Sequence, residues 1–242
     1  MKFDTIEPKK RRFEETVVFV PFFGGKKENL RRHSEFVSEL GFRNVLFENT
    51  FPTLKTQHRL LRSRSREWGL KHAWADEIFD VLSAIEGNKI LYGFSGPSSA
   101  GIEAAVRRHP LDVKAMVFDS GPFFYDRYCN ANRLLFERKI ENPLARFAVS
   151  ALHEALWSHN HQKTLANALA KLPKGFPVLS IRPLQDILVP PWAIDAAFRD
   201  QTHLNLEILD LADAHHLKGL KEFPELYKPP VQKFLQRVAT AL

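Results

Sequence analysis

Six short runs of apolar, β-branched and aromatic residues punctuate the chain. They lie at residues 16–22 (TVVFVPF), 44–48 (NVLFE), 89–94 (KILYGF), 113–119 (VKAMVFD), 177–181 (PVLSI) and 204–210 (LNLEILD). Successive side chains of a strand point to opposite faces, so a run that is apolar at consecutive positions reads as a strand covered on both sides. Between the runs the apolar spacing is helical. Residues 28–40 end at Gly41, and residues 73–85 carry Ile78, Val81, Leu82 and Ile85 on one stripe. Residues 97–108 follow a tight turn, residues 192–199 follow Pro190-Pro191, and residues 230–241 open with a proline, which a first helical turn tolerates. Strands alternating with helices predict an α/β domain built on a mostly parallel sheet of about six strands.

One stretch departs from the alternation. Residues 122–174 contain no strand run, while RLLFERKI, ARFAVSALHEALW and TLANALAKL all have helical spacing. This pattern predicts a helical layer inserted between two strands of one domain spanning residues 1–242, placed as a lid over a site; a longer crossover packed on the sheet is the plainer alternative.

Composition narrows the class. Of 242 residues, 44% are hydrophobic and 26% charged, which excludes a largely disordered or low-complexity chain. A single cysteine, Cys129, excludes an internal disulfide and a cysteine-rich metal site. His159 and His161 are two apart and do not share a helix face, so they read as solvated polar residues, and no metal is expected. Gly-rich nucleotide-binding patterns are absent, and no cofactor is expected. The net charge is +7, with basic clusters at residues 9–12 and at Arg59, Arg62, Arg64 and Arg66. Without a zinc-finger or RNA-recognition pattern, these read as a solvated arm and a polar helix face, and a nucleic-acid partner is not expected. No apolar run approaches the roughly 18 residues of a membrane span, and no apolar stretch follows the basic N-terminal residues as in a secretory signal. A cytoplasmic protein is the expectation.

Chemistry concentrates at three places. The run 89–94 passes into Gly93-Phe94-Ser95-Gly96 and then into a helix rich in small residues, Ser98, Ser99, Ala100, Gly101, Ala104 and Ala105. A sharp strand–turn–helix junction exposes its central side chain and demands small neighbours; Pro97 suits a first helical turn. Ser95 then sits near a helix N-terminus, whose backbone N–H groups favour developing negative charge. An acid, Asp186, follows the run 177–181, and two histidines, His215 and His216, follow the run 204–210.

In this order and context, these residues resemble the α/β-hydrolase superfamily, and the resemblance spans nearly the whole chain. It departs from the common G-x-S-x-G pattern at Pro97. The resemblance implies that Ser95 is a nucleophile, Asp186 the acid and His216 the base, His216 being favoured over His215 because Leu217 and Pro224 follow it as in similar chains. Asp119, at the end of the run 113–119, is the rival acid, and otherwise reads as a cap on the turn Ser120-Gly121-Pro122. Where relatives carry a His-Gly turn, this chain has Pro21-Phe22-Phe23. Pro21 has no N–H, so Phe23 N–H, with Phe22 N–H as the alternative, is expected to form an oxyanion hole with Gly96 N–H. Phe22, Phe123 and Phe124, with Tyr125, are expected to line an apolar substrate pocket, also shared by Phe23. The implied activity is that of a serine hydrolase acting on a carboxylic ester of a small-molecule acyl substrate. A thioesterase, an acyltransferase or a catalytically inert binding protein on the same fold are the alternatives.

Overall fold

The computed structural model describes residues 2–51, 63, 64 and 67–242. All six predicted strands form: β2 (Thr16–Val20), β3 (Arg43–Phe47), β4 (Lys89–Phe94), β5 (Val113–Asp119), β6 (Pro177–Pro183) and β7 (Asn205–Leu211). A seventh, β1 (Phe3–Ile6), precedes them. The sheet order is β1-β3-β2-β4-β5-β6-β7, and every neighbouring pair is parallel except β1 with β3. β1 exceeds the six strands expected because FDTI is short and polar at its centre, with Asp4 and Thr5 exposed. It carries no apolar run, and its pairing with β3 is what makes it a strand.

Nine helices pack around the sheet among the described residues: α1 (Lys27–Leu40), α2 (Leu70–Ala84), α3 (Ser98–Val106), α4 (Asp126–Phe136), α5 (Pro143–Trp157), α6 (His161–Ala170), α7 (Pro191–Phe198), α8 (Gly219–Glu222) and α9 (Pro224–Val238). The alternation within each strand divides the core. Val18, Leu91, Met116 and Val178 pack on one face with Trp74 and Ile78 of α2, Ile102 of α3 and Leu165 of α6. Val17, Ile90, Val117 and Leu179 pack on the other with Leu30 and Phe36 of α1 and Tyr227 and Phe234 of α9. Each such side chain, fully buried, contributes about 1.5–3 kcal/mol relative to exposure. The doubled cover explains why these strands are apolar at consecutive positions.

Two departures have physical causes. α9 starts at Pro224, six residues before the expected Pro230, and contains Pro229 and Pro230. Those prolines deprive the carbonyls of Glu225 and Leu226 of their helical partners, but both residues are exposed in the first turn, where water can serve instead. The long insertion is also narrower above the sheet than its length suggests. α4 and α5 pack on each other, whereas α6 packs on α3 and α7, with Leu165 and Leu169 in the core.

Candidate active site

Ser95 follows the last residue of β4, at the centre of the sheet, and its φ is 53°. A left-handed conformation costs a non-glycine residue about 1–2 kcal/mol, so the junction must be held in place. Ser95 N–H donates to the Asp119 carbonyl (2.9 Å), and the Ser98 hydroxyl and N–H donate to the Ser95 carbonyl (2.5 and 3.2 Å). The neighbours leave no room for side chains. A Cβ on Gly93 would lie 2.7 Å from Ser98 Cβ, and one on Gly121 would lie 2.5 Å from the Ser95 carbonyl oxygen.

Asp186 and His216 follow the C-terminal ends of β6 and β7. Asp186 Oδ2 accepts a hydrogen bond from His216 Nδ1 at 2.6 Å, while Oδ1 accepts from the N–H groups of Leu188 and Val189 (2.9 and 2.8 Å). The carboxylate is buried, so these three donors stand in for solvent and fix its orientation. With Nδ1–H committed to Asp186, the imidazole Nε2 is an acceptor. Bonds between the two loops stitch them together: Leu184 N–H to the Leu211 carbonyl, Gln185 N–H to the Ala214 carbonyl, and His215 Nδ1 to the Gln185 carbonyl. His215 thus points away to an exposed backbone bond, and His216 is the histidine paired with the acid.

Ser95 and His216 line one cavity of about 390 Å³, together with Gly96. Phe22, Phe23 and Phe123 line it as well, with Trp157 and Val189. Phe22 and Gly25 close a turn (Gly25 N–H to the Phe22 carbonyl, 2.8 Å) whose third residue, Gly24, has φ 76°. Such a turn requires positive φ there, which glycine supplies. Neither Phe23 N–H nor Gly96 N–H donates to an acceptor among the described residues.

Three expectations need correction. Phe124 packs on the core, its N–H bonded to the Ala193 carbonyl, and does not line the cavity. Tyr125 is likewise absent from the wall; it is 44% exposed, against Trp192. The insertion turns between Phe123 and Asp126, so only the first of the three aromatics reaches the site. His161 is buried, not solvated, because α6 belongs to the core layer; its Nε2 lies 3.1 Å from the Phe123 carbonyl and fixes that residue's backbone. Of the basic residues noted above, Arg64 is paired with Asp80, and Arg59, Arg62 and Arg66 lie outside the described residues.

Asp119 does not pair with His216. It is buried beneath the site, where it accepts hydrogen bonds from Tyr227 Oη (2.8 Å) and the Ser120 hydroxyl (2.9 Å). Tyr227 is joined in turn to Tyr92 (2.5 Å), and Ser120 Oγ accepts from Leu217 N–H (3.1 Å). Burial raises the Asp119 carboxyl to about 6, against the pull of Tyr227, Ser120 and the more distant His216. Burial likewise lowers neighbouring His33 to about 3, and at 3.9 Å from Asp119 it makes no hydrogen bond. The chain from Asp119 through Ser120 to Leu217 thus reaches the residue after His216, a link that sequence spacing does not disclose.

A second buried network ties α2, α3 and α6. Lys71 Nζ lies 2.6 Å from Thr164 Oγ1 and 3.7 Å from Glu103, and Glu103 pairs with His72 (2.8 Å). Burial lowers Lys71 to about 8 in spite of Glu103. Burial would raise Glu103, but His72 and Lys71 outweigh it and hold the carboxyl low.

No family model and no curated protein matches this sequence. Solved structures do match in shape. An esterase of Pyrococcus furiosus superposes with a TM-score of 0.66 at 18% identity, over 99% of this chain and 92% of that one. An esterase of Exiguobacterium antarcticum gives 0.65 at 13% identity, over 97% and 94%. A monoacylglycerol lipase of Paleococcus ferrophilus gives 0.64 at 17% identity, over 97% and 98%.

Proposed function

On the α/β-hydrolase fold, which this chain adopts, we propose that Ser95, His216 and Asp186 form a catalytic triad that hydrolyses carboxylic esters. One observation carries the reading: the buried Asp186 is hydrogen-bonded to His216 at 2.6 Å, and His216 opens onto the same cavity as the strained Ser95. Esterases and a lipase among the structures of similar shape support the same class of reaction.

Each group has a role that the chemistry requires. A serine hydroxyl is a weak nucleophile at neutral pH, so His216 Nε2 removes its proton as Oγ attacks the ester carbonyl. Asp186 holds the imidazole tautomer and stabilises the imidazolium. The Gly96 and Phe23 N–H groups, which have no acceptor within the described protein, hold the oxyanion; losing one such donor costs about 100- to 1,000-fold in rate. His216 then passes the proton to the leaving oxygen, and water releases the acyl group from Ser95. α4 and α5, which wall the cavity, act as its cap.

Hydrolysis of 4-nitrophenyl esters, from acetate to long acyl chains, tests the reading. Wild-type protein turns over part of the series and reacts with a fluorophosphonate probe, and Ser95→Ala lowers turnover by about a thousandfold or more. A folded wild type that hydrolyses no ester and escapes the probe overturns it in favour of a binding protein on the same fold.

A further inference from the structure

Many of the chain's basic side chains meet an acid. Arg43 pairs with Glu7, Arg108 with Asp112, Arg127 with Glu154, Arg182 with Asp210 and Arg237 with Glu207. Three at one edge of the cavity do not. Arg32 on α1, Lys218 just before α8 and Lys221 within it line the cavity, are exposed, and form no ion pair among the described residues. α1 packs on α8, which gathers the three charges along one edge. Lys218 is two residues beyond His216, so this edge is the one beside the histidine.

The acids of the cavity leave that charge uncompensated. Glu137 is committed to Arg133 at 3.0 Å. Asp126 is buried on α4, and burial pushes its carboxyl up to about 8, leaving it mainly uncharged near neutral pH. Another part of the wall is aromatic, with Phe23, Phe123 and Trp157, which pack on the core cluster of the sheet face opposite α1; Arg133, neutralised by Glu137, lies over the Phe23 ring. The cavity thus has two chemically different ends, an aromatic one and a cationic one.

We propose that the substrate is an ester whose leaving group carries a negative charge, a carboxylate or a phosphate, held by Arg32, Lys218 and Lys221 while the acyl group lies against the aromatic wall. The orientation rests on the serine-hydrolase reading above: His216 must deliver a proton to the leaving oxygen, so the leaving group occupies the His216 side. The bond from Ser95 Oγ to the acyl carbon forms as the bond to the leaving oxygen breaks. The serine proton reaches that oxygen through His216, and water then frees the carboxylic acid. One exposed cation contributes little, but three converging charges raise the local concentration and encounter rate of an anion by about tenfold or more. Their reach is about 8 Å at physiological ionic strength, so the preference depends on salt.

Two chromogenic esters with the same acyl group test this, 4-nitrophenyl butyrate and 3-carboxy-4-nitrophenyl butyrate. They differ in the charge of the leaving group. The measured quantity is the ratio of kcat/KM for the anionic ester to that for the neutral one. We expect the ratio to fall about tenfold between low salt and about 0.5 M salt. A triple variant, Arg32→Ala with Lys218→Ala and Lys221→Ala, lowers it by a similar factor at low salt. A ratio moved by neither salt nor the triple substitution, with both esters turned over, overturns the inference and leaves the hydrolase reading intact. Failure of the wild type to turn over either ester, with no fluorophosphonate labelling, overturns both. The salt series needs only the wild type, so the test survives if the variant does not fold.

Discussion

Asp119 is a carboxyl group placed where its charge costs stability, and the cost can be measured. Asp119→Asn keeps the shape and an acceptor for Tyr227 Oη but removes the titration. In the folded protein burial raises the Asp119 carboxyl from 3.8 to about 6. Between those values the unfolded chain has released the proton and the folded protein still holds it, so rising pH favours unfolding. The stability Asp119 contributes is therefore complete below about pH 3.8 and is lost as pH rises through about 6. At about 1.4 kcal/mol per pH unit the full loss is about 3 kcal/mol, of which about 2 kcal/mol falls between pH 4 and pH 7. Groups that titrate alike in both proteins cancel in the difference, and His33, lowered to about 3, stays neutral in the folded protein across the window. Urea unfolding of wild type and variant across that range should show the variant gaining about 2 kcal/mol on the wild type toward pH 7. A difference that stays constant with pH, or changes with the opposite sign, would show that the buried carboxyl is not held protonated and would refute the reasoning.

Other outcomes follow from the same geometry. Asp186→Asn replaces the acceptor of His216 Nδ1–H with a group that can donate, so kcat for ester hydrolysis should fall by about 10⁴-fold with the fold retained by circular dichroism; loss of less than tenfold would remove Asp186 from the reaction. Gly93→Ala sets a Cβ 2.7 Å from Ser98 Cβ, at the first turn of α3. It should cost about 1–3 kcal/mol in thermal or urea unfolding and reduce ester turnover as the Ser95 turn shifts. Glu103→Ala leaves Lys71 buried without its counter-charge, and a loss of about 3–5 kcal/mol is expected. A urea midpoint unchanged from the wild type would mean that Lys71 does not depend on Glu103.

Residues on fully covered strands were legible because both faces of β2, β4 and β5 demand apolar side chains. Ser95, Asp186 and His216 were legible because each follows a strand. Ser95 and Asp186 follow the covered strands β4 and β6, His216 follows the half-exposed edge strand β7, and the sheet brings the ends of all three to one side. What escaped the sequence depends on tertiary packing. β1 exists through its pairing with β3. Lys71, His72 and Glu103 have the charge of a solvated helix face, and only the meeting of α2, α3 and α6 shows them buried and mutually satisfied. Phe124 differs from Phe123 in no property that a sequence displays; the direction of the turn ahead of α4 separates them. Asp119 and Tyr227 stand 108 residues apart, and their hydrogen bond follows from α9 packing on the sheet face that holds Val117 and Leu179.

The two sides of the cavity are attached to the sheet differently. Leu211, Ala214 and Gln185 lace the histidine and acid loops to each other by backbone bonds, so the reactive side inherits the rigidity of β6 and β7. α4 and α5 instead rest on each other, within a segment that leaves β5 and rejoins the sheet only at β6. Within that segment Gly121, Ser120 and α6 are tied to the site or the core, whereas exposed positions of α4 and α5 can change without touching Ser95, Asp186 or His216. If the cavity holds an acyl substrate as proposed, this separates the task of changing which acyl group fits from that of preserving the reaction. A library confined to the cavity-facing positions of α4 and α5 would vary the first and leave the second untouched.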